Sequence, residues 1–537
     1  MRGTIMDYPL TLPTILEHAG RLHSAQEIVS RRPDRSLHRC TFGEFYQRAR
    51  LLAEALQKAG LQPGDRVGTL CWNHSVHLEA YFGVPCAGGV LHTLNLRLHP
   101  DELAYIVKHA GDRFLIVDDD LLPILEGFKD KVDFEKIFVV RFGGGEVPEG
   151  MEDYEELLAA STGDFAYPEI DEYSACGMCY TSGTTGKPKG VAYSHRGVVI
   201  HTLAVMAPDA FGFSMRDCIF PVVPMFHANA WGMPVAAVMG GSKLVFTGPH
   251  ADPESILALL DSEHVTLTGG VPTVWLGVLD ELKRHPDRWK LPRGLKFVIG
   301  GSAAPESMIR DFNAMGYQVI HAWGMTEMTP VGTAGVPKPA FDRMTEDEKF
   351  ATLSKQGIPL PFVDIRVMSD DGLVAWDGQA MGELQVRGPW IADSYYNPED
   401  PIDSWTDDGW FRTGDVVTVG AEGYVKITDR TKDLIKSGGE WISSVDVENA
   451  LMGHPQIKEA AVIAIPHERW VERPLACVVV EEGARLSTED VQTFLAEKFA
   501  KWWVPDAVEF LDEIPRTSTG KYQKTALRER FKDYKLA

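Results

Sequence analysis

Apolar residues between positions 45 and 59 recur at helical spacing and stop at Gly60, a pattern that predicts an amphipathic helix. Positions 66–72 follow as a short apolar run of strand length. The unit repeats as a helix at 76–85, extended chain at 89–94, a helix at 101–110 behind Pro100 and a strand at 114–118. Such alternation predicts a parallel, doubly wound sheet. A strand at 175–180 runs into Tyr180-Thr-Ser-Gly-Thr-Thr-Gly-Lys-Pro-Lys-Gly190, which puts that loop at the carboxyl end of a strand, where ligands of open α/β sheets collect.

The same grammar predicts strands at 218–223, 265–268, 295–299 and 317–321, and helices at 253–262, after Pro272, and up to 315 with Pro305 as the first helical residue. Two of these strands deliver small-residue loops, Gly300-Gly-Ser-Ala-Ala-Pro305 and Ala322-Trp-Gly-Met-Thr-Glu327, to one edge. Between 357 and 423 the pattern changes to short extended runs such as 364–368 and 382–386, broken by Asp-Gly and Gly-Pro turns, which reads as a β-rich lobe. Residues 424–433 pass into a charged patch without a strong apolar pattern, and a domain boundary is expected there. The remainder carries a helix at 444–452, strands at 459–465 and 475–480, a helix at 488–501 and a closing turn, Pro515-Arg-Thr-Ser-Thr-Gly-Lys521. The expected fold class is α/β, with a large N-terminal domain of doubly wound sheets plus a β-rich lobe over residues 1–430 and a small α+β C-terminal domain over 431–537.

Composition narrows the function. With 537 residues the chain exceeds a single core, and 44% hydrophobic with 24% charged residues is the make-up of an ordinary globular protein. A net charge of -23 argues against nonspecific binding to nucleic acid or anionic lipid, and requires a locally positive pocket for any anionic ligand. The N-terminus lacks a signal-peptide core and no apolar run approaches the roughly 18 residues of a membrane span, so the chain reads as cytoplasmic. Seven cysteines do not suggest a disulfide framework. Cys176-Gly-Met-Cys179 has no second pair and would point its thiols to opposite faces of a strand, so no metal or redox role is expected.

The Tyr180 loop holds three glycines, four Ser or Thr residues and two lysines in eleven positions, a composition suited to polyphosphate. Its spacing is not that of the common nucleotide loop, because Gly183 to Gly186 is too short and Pro188 follows Lys187. Taken singly, the other candidates read blandly: Asp415 after Thr-Gly as a turn residue, His227 and Trp323 as core, and the lysines as solubilising.

Five separated motifs change that reading: the Tyr180 loop, Phe226-His227, Gly324-Met-Thr-Glu327, Thr413-Gly-Asp415 with Asp429-Arg430, and the turn at Lys521. In this order, over nearly the whole length, the chain resembles the acyl-CoA synthetases of the adenylate-forming superfamily, which also contains firefly luciferase and nonribosomal adenylation domains. Within it, Ser437-Gly-Gly-Glu-Trp-Ile-Ser-Ser444 is similar to bacterial medium- and long-chain fatty acyl-CoA synthetases and to methylmercaptopropionate-CoA ligases.

The resemblance implies a two-step reaction with ATP, Mg²⁺ and CoA: a carboxylate attacks the α-phosphate of ATP to give acyl-AMP and pyrophosphate, and the CoA thiol then displaces AMP. It implies that Thr181, Ser182, Gly183, Thr184, Thr185, Gly186, Lys187 and Lys189 hold the β- and γ-phosphates, that Thr184 and Glu327 hold Mg²⁺, and that Thr326 reaches the α-phosphate. Asp415 and Arg430 would hold the ribose. Gly300, Gly301, Ala303, Ala304 and Pro305 would line the adenine and acyl pockets, with His321, Trp323, Gly324 and Met325 completing the nucleotide site. Trp323 stands where the family usually has Tyr, offering adenine a larger face without the hydroxyl. His227 would lie beside the acyl carboxylate and Trp231 would gate the acyl tunnel, the two sharing one face if the segment is helical.

In the C-terminal domain, implied to be a mobile lid, Lys432 falls at the hinge, Lys436 at a position linked to the second half-reaction, and Lys521 at the bridge between carboxylate and α-phosphate. Gly438, Gly439, Glu440 and Trp441 would form the CoA tunnel only after this domain rotates. A homodimer through the N-terminal domain is also implied. The rival readings are a ligase for a short acid such as 3-methylmercaptopropionate, an acyl-AMP ligase loading a carrier protein, a luciferase-like monooxygenase and a catalytically silent homologue.

Overall fold

The computed structural model describes residues 1, 3–181, 187–399, 402–430, 433–437, 440–467, 469–517 and 521–534, with only the backbone of Glu440. Among the described residues the strands form four sheets. A seven-stranded sheet runs in the order Glu152–Asp153, Lys136–Val140, Asp112–Asp118, Arg66–Leu70, Val90–Thr93, Ala175–Tyr180, Gly190–Ser194, parallel except for the last pair. The Tyr180 loop therefore joins an antiparallel pair whose ends meet at Tyr180 and Gly190. The helices Phe42–Lys58, Ser75–Cys86 and Pro100–Ala110 alternate with its strands, as the periodicity predicts.

A nine-stranded sheet has a parallel centre made of Gln318–Gly324, Lys296–Ile299, Leu267–Gly270, Cys218–Pro221, Lys243–Phe246 and Glu27–Arg31. Antiparallel strands close both edges. A five-stranded antiparallel sheet forms the β-rich lobe. The smaller C-terminal unit is built on Glu440–Ile442, Ile435–Ser437, Val471–Val480 and Ile457–His467, with Ala507–Phe510 added in parallel. Separate apolar clusters cover its two faces, one under Val447 and Leu451 and the other under Leu527.

Several expectations shift, each for a tertiary reason. The strand expected at 265–268 lies at Leu267–Gly270, because the N–H groups of Glu263 and Val265 turn back to Leu259 and Leu260 and finish the preceding helix. Pro305 is not helical: with ψ at 136° it precedes the helix Glu306–Ala314. Gln318–Gly324 continues three residues beyond His321, since Val331–Ala334 pairs against Ala322, Trp323 and Gly324. Only glycine fits at 324, where a Cβ would lie 1.9 Å from the Pro330 carbonyl oxygen.

The charged patch at 424–433 contains a strand, Val425–Arg430, which completes the five-stranded sheet. Its buried polar residues hide it from a hydrophobicity reading: Ser443 Oγ donates to the Thr428 carbonyl, and Ser444 donates through N–H and Oγ to Asp429 Oδ2 at 2.8 and 2.6 Å. The helix expected to reach 501 stops at Ala496, where the N–H groups of Lys498 and Phe499 both turn back to Leu495. All seven cysteines are free thiols. Among the described residues no helix is long and apolar enough to cross a membrane.

Candidate active site

A cleft of about 650 Å³ opens where the carboxyl ends of the nine-stranded sheet meet the β-rich lobe and the C-terminal unit. Strand Lys296–Ile299 delivers Gly300, Gly301, Ala303 and Pro305 to its wall, and Gln318–Gly324 delivers Trp323, Gly324, Met325, Thr326 and Glu327. The antiparallel sheet supplies Asp415 and Arg430, opposed on neighbouring strands. Thr181, Lys187 and Lys189 reach the cleft from the seven-stranded sheet, His227 and Trp231 from the chain after Cys218–Pro221, and Lys521 from the C-terminal turn.

Lys521 runs over Gly301, whose φ of +83° favours glycine and where an added Cβ would stand 3.4 Å from Lys521 Cε. Burial, then the Arg430 guanidinium, depress the Lys521 ammonium to about 8 against the pull of Asp415 and Glu327. Burial also brings His227 down to about 3, helped by Lys521 and Arg97, so its imidazole is neutral at physiological pH.

The segment after His227 is helical with the opposite hand. Ala228, Asn229, Ala230 and Trp231 have φ of 42, 51, 48 and 57°, each costing roughly 1–2 kcal/mol in a non-glycine residue. His227 and Trp231 therefore do not share the face of a right-handed helix. The left-handed turn sends both to the cleft, where Trp231 lies over Gly300 with Cη2 3.4 Å from an added Cβ. Strain of this kind is kept where neighbours over-determine it; here Ala230 N–H bonds the His227 carbonyl and Cys179 Sγ stands 3.2 Å from Asn229 Oδ1.

Two carboxylates in the wall are held by rings. Glu327 Oε1 accepts from Tyr395 Oη at 2.6 Å, and Lys189 Nζ sits 5.0 Å from the centre of the same ring. Asp415 Oδ2 accepts from Trp323 Nε1 at 2.8 Å, while Arg430 Nε approaches Oδ1 at 3.4 Å. Tyr193 Oη holds the Thr326 carbonyl at 2.8 Å.

Other candidates stand elsewhere. His321 and Ala304 lie behind the lining: Ala304 N–H donates to His321 Nε2 at 3.3 Å, and His321 Nδ1 faces the Ser354 carbonyl at 2.9 Å. Burial lowers that ring to about 4, so these two bonds are made by a neutral imidazole. Lys187, which does reach the cleft, pairs with Glu399 at 2.6 Å at its rim. Lys436 and Trp441 form an exposed pair outside the cleft, with the ammonium 5.2 Å from the ring centre. Ser182, Gly183, Thr184, Thr185, Gly186, Lys432, Gly438 and Gly439, and the side chain of Glu440, lie outside the described residues.

Sequence reasoning missed Tyr193, Tyr395 and the wall residues Pro272, Thr273 and Leu276, which no motif contains. Nor did it single out Lys524, whose ammonium meets Glu448 at 2.7 Å and also reaches Ser444 Oγ. Away from the cleft, Cys71, His74 and Asp118 come together with metal-ligand chemistry. However, His74 Nδ1 accepts the His77 N–H, so Nε2 carries the proton that it donates to Asp118 at 2.9 Å and offers no lone pair to an ion.

Taken as chemistry, the cleft offers the desolvated Lys521 ammonium, a guanidinium and the ammonium groups of Lys187 and Lys189 beside two held carboxylates and a neutral imidazole. Such a set suits an anion whose charge is redistributed during reaction. The pattern of AMP-binding enzymes matches residues 16–396, and that of the AMP-binding enzyme C-terminal domain matches 446–521. The chain is 50% identical to a long-chain-fatty-acid–CoA ligase of Thermus thermophilus, over 99% of this chain and 97% of that protein. It is 44% identical to a 3-methylmercaptopropionyl-CoA ligase of Ruegeria lacuscaerulensis, over 99% of both. Among solved structures, ATP-bound MatB from Rhodopseudomonas palustris superposes with a TM-score of 0.83 at 26% identity, over 98% of this chain and all of that one.

Proposed function

The chain belongs to the AMP-binding enzyme family, and from that premise we propose that it is an ATP-dependent acid–CoA ligase acting on a medium- or long-chain fatty acid. The observation that carries this reading is Lys521 lying over Gly301 in the cleft, with Arg430, Asp415 and Glu327 around it. A carboxylate oxygen attacks the α-phosphorus and pyrophosphate leaves; the CoA sulfur then attacks the acyl carbon, the thiol proton is released and AMP departs. In the first step Lys521 neutralises the carboxylate and the α-phosphate as they meet, Lys189 and Lys187 attract the outer phosphates, and Thr326 reaches the α-phosphate. His227, being neutral, lies beside the acyl carboxylate without repelling Lys521. Asp415 and Arg430 hold the ribose.

Glu327 keeps one carboxylate oxygen engaged by Tyr395, and a single carboxylate beside phosphate oxygens is a donor set that Mg²⁺ favours. Glu327 with Thr184 would hold the ion, which when bound supplies charge neutralisation for the departing pyrophosphate. We take the domains to divide at 430/431 with Lys432 as pivot, so that rotation exchanges the Lys521 turn for Lys436, Gly438, Gly439, Glu440 and Trp441 in the thioester step. We read the enzyme as a cytoplasmic homodimer, which sedimentation at micromolar protein would check.

A panel of carboxylic acids from two to eighteen carbons, scored for AMP formation dependent on acid, ATP and CoA, tests the proposal; no AMP with any acid would sink it. A short acid such as 3-methylmercaptopropionate is the second reading, favoured by the Trp231 ring lying over Gly300 and so shortening the pocket. Each methylene that fits adds about 0.8 kcal/mol, roughly fourfold. Trp231→Ala should therefore move the optimum to longer acids, and an unchanged profile would remove Trp231 from the gate.

The depressed Lys521 ammonium makes the first half-reaction sensitive to alkali. The protonated form is the useful one, so kcat/KM for pyrophosphate exchange should fall about tenfold per pH unit above about 8. Lys521→Arg, which stays charged, should lose that limb, and a limb retained at the same pH would assign it to another group.

A further inference from the structure

Trp323 carries a single polar atom, its indole N–H. That N–H is bonded at 2.8 Å to Asp415 Oδ2, and both residues are almost wholly buried in the wall of the cleft. An indole N–H lies in the plane of its ring, so the bond fixes which edge of Trp323 points at Asp415 and leaves the ring faces for packing. Asp415 is fixed in turn. Its own N–H donates to Thr413 Oγ1 at 3.1 Å, Trp323 occupies Oδ2, and Arg430 Nε stands 3.4 Å from Oδ1. A carboxylate has about four acceptor sites, and those left over suit a pair of neighbouring hydroxyls.

Resting on the ligase reading above, we infer that Trp323 is a positioning residue for Asp415: its indole N–H sets the carboxylate to read the two ribose hydroxyls, so that the surface under the base and the acceptor for the sugar move as one unit. The partners are 92 positions apart, on the nine-stranded sheet and the β-rich lobe, so the bond also ties the lobe to the edge that carries the Thr326-Glu327 turn. Phenylalanine at 323 would keep an aromatic face and remove the donor. The carboxylate could then turn towards Arg430, and the ribose hydroxyls would meet an acceptor with no preferred direction.

The test is titration calorimetry of AMP and 2′,3′-dideoxyAMP. In the wild-type chain the loss of both hydroxyls is expected to weaken binding on the order of a hundredfold, since hydrogen bonds to a charged group are the strong ones. Trp323→Phe should bring that ratio below about tenfold, a ratio in which any stacking lost with the larger ring cancels because both ligands carry the same base, and Asp415→Asn should bring the ratio down by itself. In the Asp415→Asn background, Trp323→Phe should change the ratio no further. A wild-type ratio in Trp323→Phe would overturn the inference, as would a further fall in the double variant. Should Trp323→Phe not fold, the ¹⁵N-indole spectrum decides: one downfield N–H resonance of the wild type should move upfield in Asp415→Ala, which leaves the indole no carboxylate to donate to, and its unchanged position would equally overturn the inference. Wild-type protein that binds neither AMP nor ATP would refute the ligase reading, and the inference with it.

Discussion

Lys521→Ala is expected to lower acyl-AMP formation by 10² to 10³, on the order of 3 kcal/mol in the barrier, while supplied acyl-AMP is still converted to thioester at near the normal rate. The size follows from where the ammonium sits. It lies over Gly301 with protein around it, and its depressed affinity for the proton reports a charge that water no longer screens well. Removing such a charge costs far more than removing an exposed lysine. The selectivity follows from the C-terminal unit, which carries Lys521 on one turn and the exposed pair Lys436 and Trp441 on another. If rotation exchanges these faces, Lys521 has left the site before the thiol attacks. Pyrophosphate exchange and thioester formation from synthetic acyl-AMP, measured separately, decide it; equal losses in both would show that one face serves both steps.

Lys524→Met should destabilise the C-terminal unit by about 3–5 kcal/mol, a large fraction of the 5–15 kcal/mol typical of a whole domain. Lys524 places its ammonium against Glu448 at 2.7 Å and also reaches Ser444, which donates to Asp429. Glu448 is held between this ammonium and the Val462 N–H, and burial pushes its carboxyl up to about 7 even so. Without Lys524 two buried carboxyls face each other uncompensated. The sign of the pH effect is fixed: a carboxyl raised above its unfolded value of 4.5 holds a proton that the unfolded chain releases, so stability falls as pH rises from about 4.5 through about 7. Loss of Lys524 raises the carboxyl further, and the deficit in thermal unfolding should be larger at pH 8 than at pH 5. Lys524→Met with Glu448→Gln should recover part of it. A deficit equal at both pH values, or one the double variant deepens, would remove Glu448 as the cause. Because Asp429 belongs to the β-rich lobe and Ser444 to the C-terminal helix, the single variant should also slow the Lys521-dependent step.

The sequence alone determined the elements whose signals are local. Ala175–Tyr180, Pro253–Ser262 and Ser444–Met452 lie where the pattern predicts them, because an apolar run, a proline at the first turn or a capping hydroxyl acts within a few residues. It also determined much of the chemistry of the cleft: lining positions from Thr181 to Lys521 come from five motifs far apart in the chain. Tertiary structure decided the rest. Val425–Arg430 is a strand because Ser443 and Ser444 satisfy its buried polar groups. The turn at 228–231 takes the left hand, which no periodicity records. Glu327 finds Tyr395, and Asp415 finds Trp323, at separations of 68 and 92 positions. The physical reason is one of range: propensity and periodicity act between neighbours, whereas the partner of a buried polar atom is chosen by whichever distant group the fold brings within about 3 Å of it.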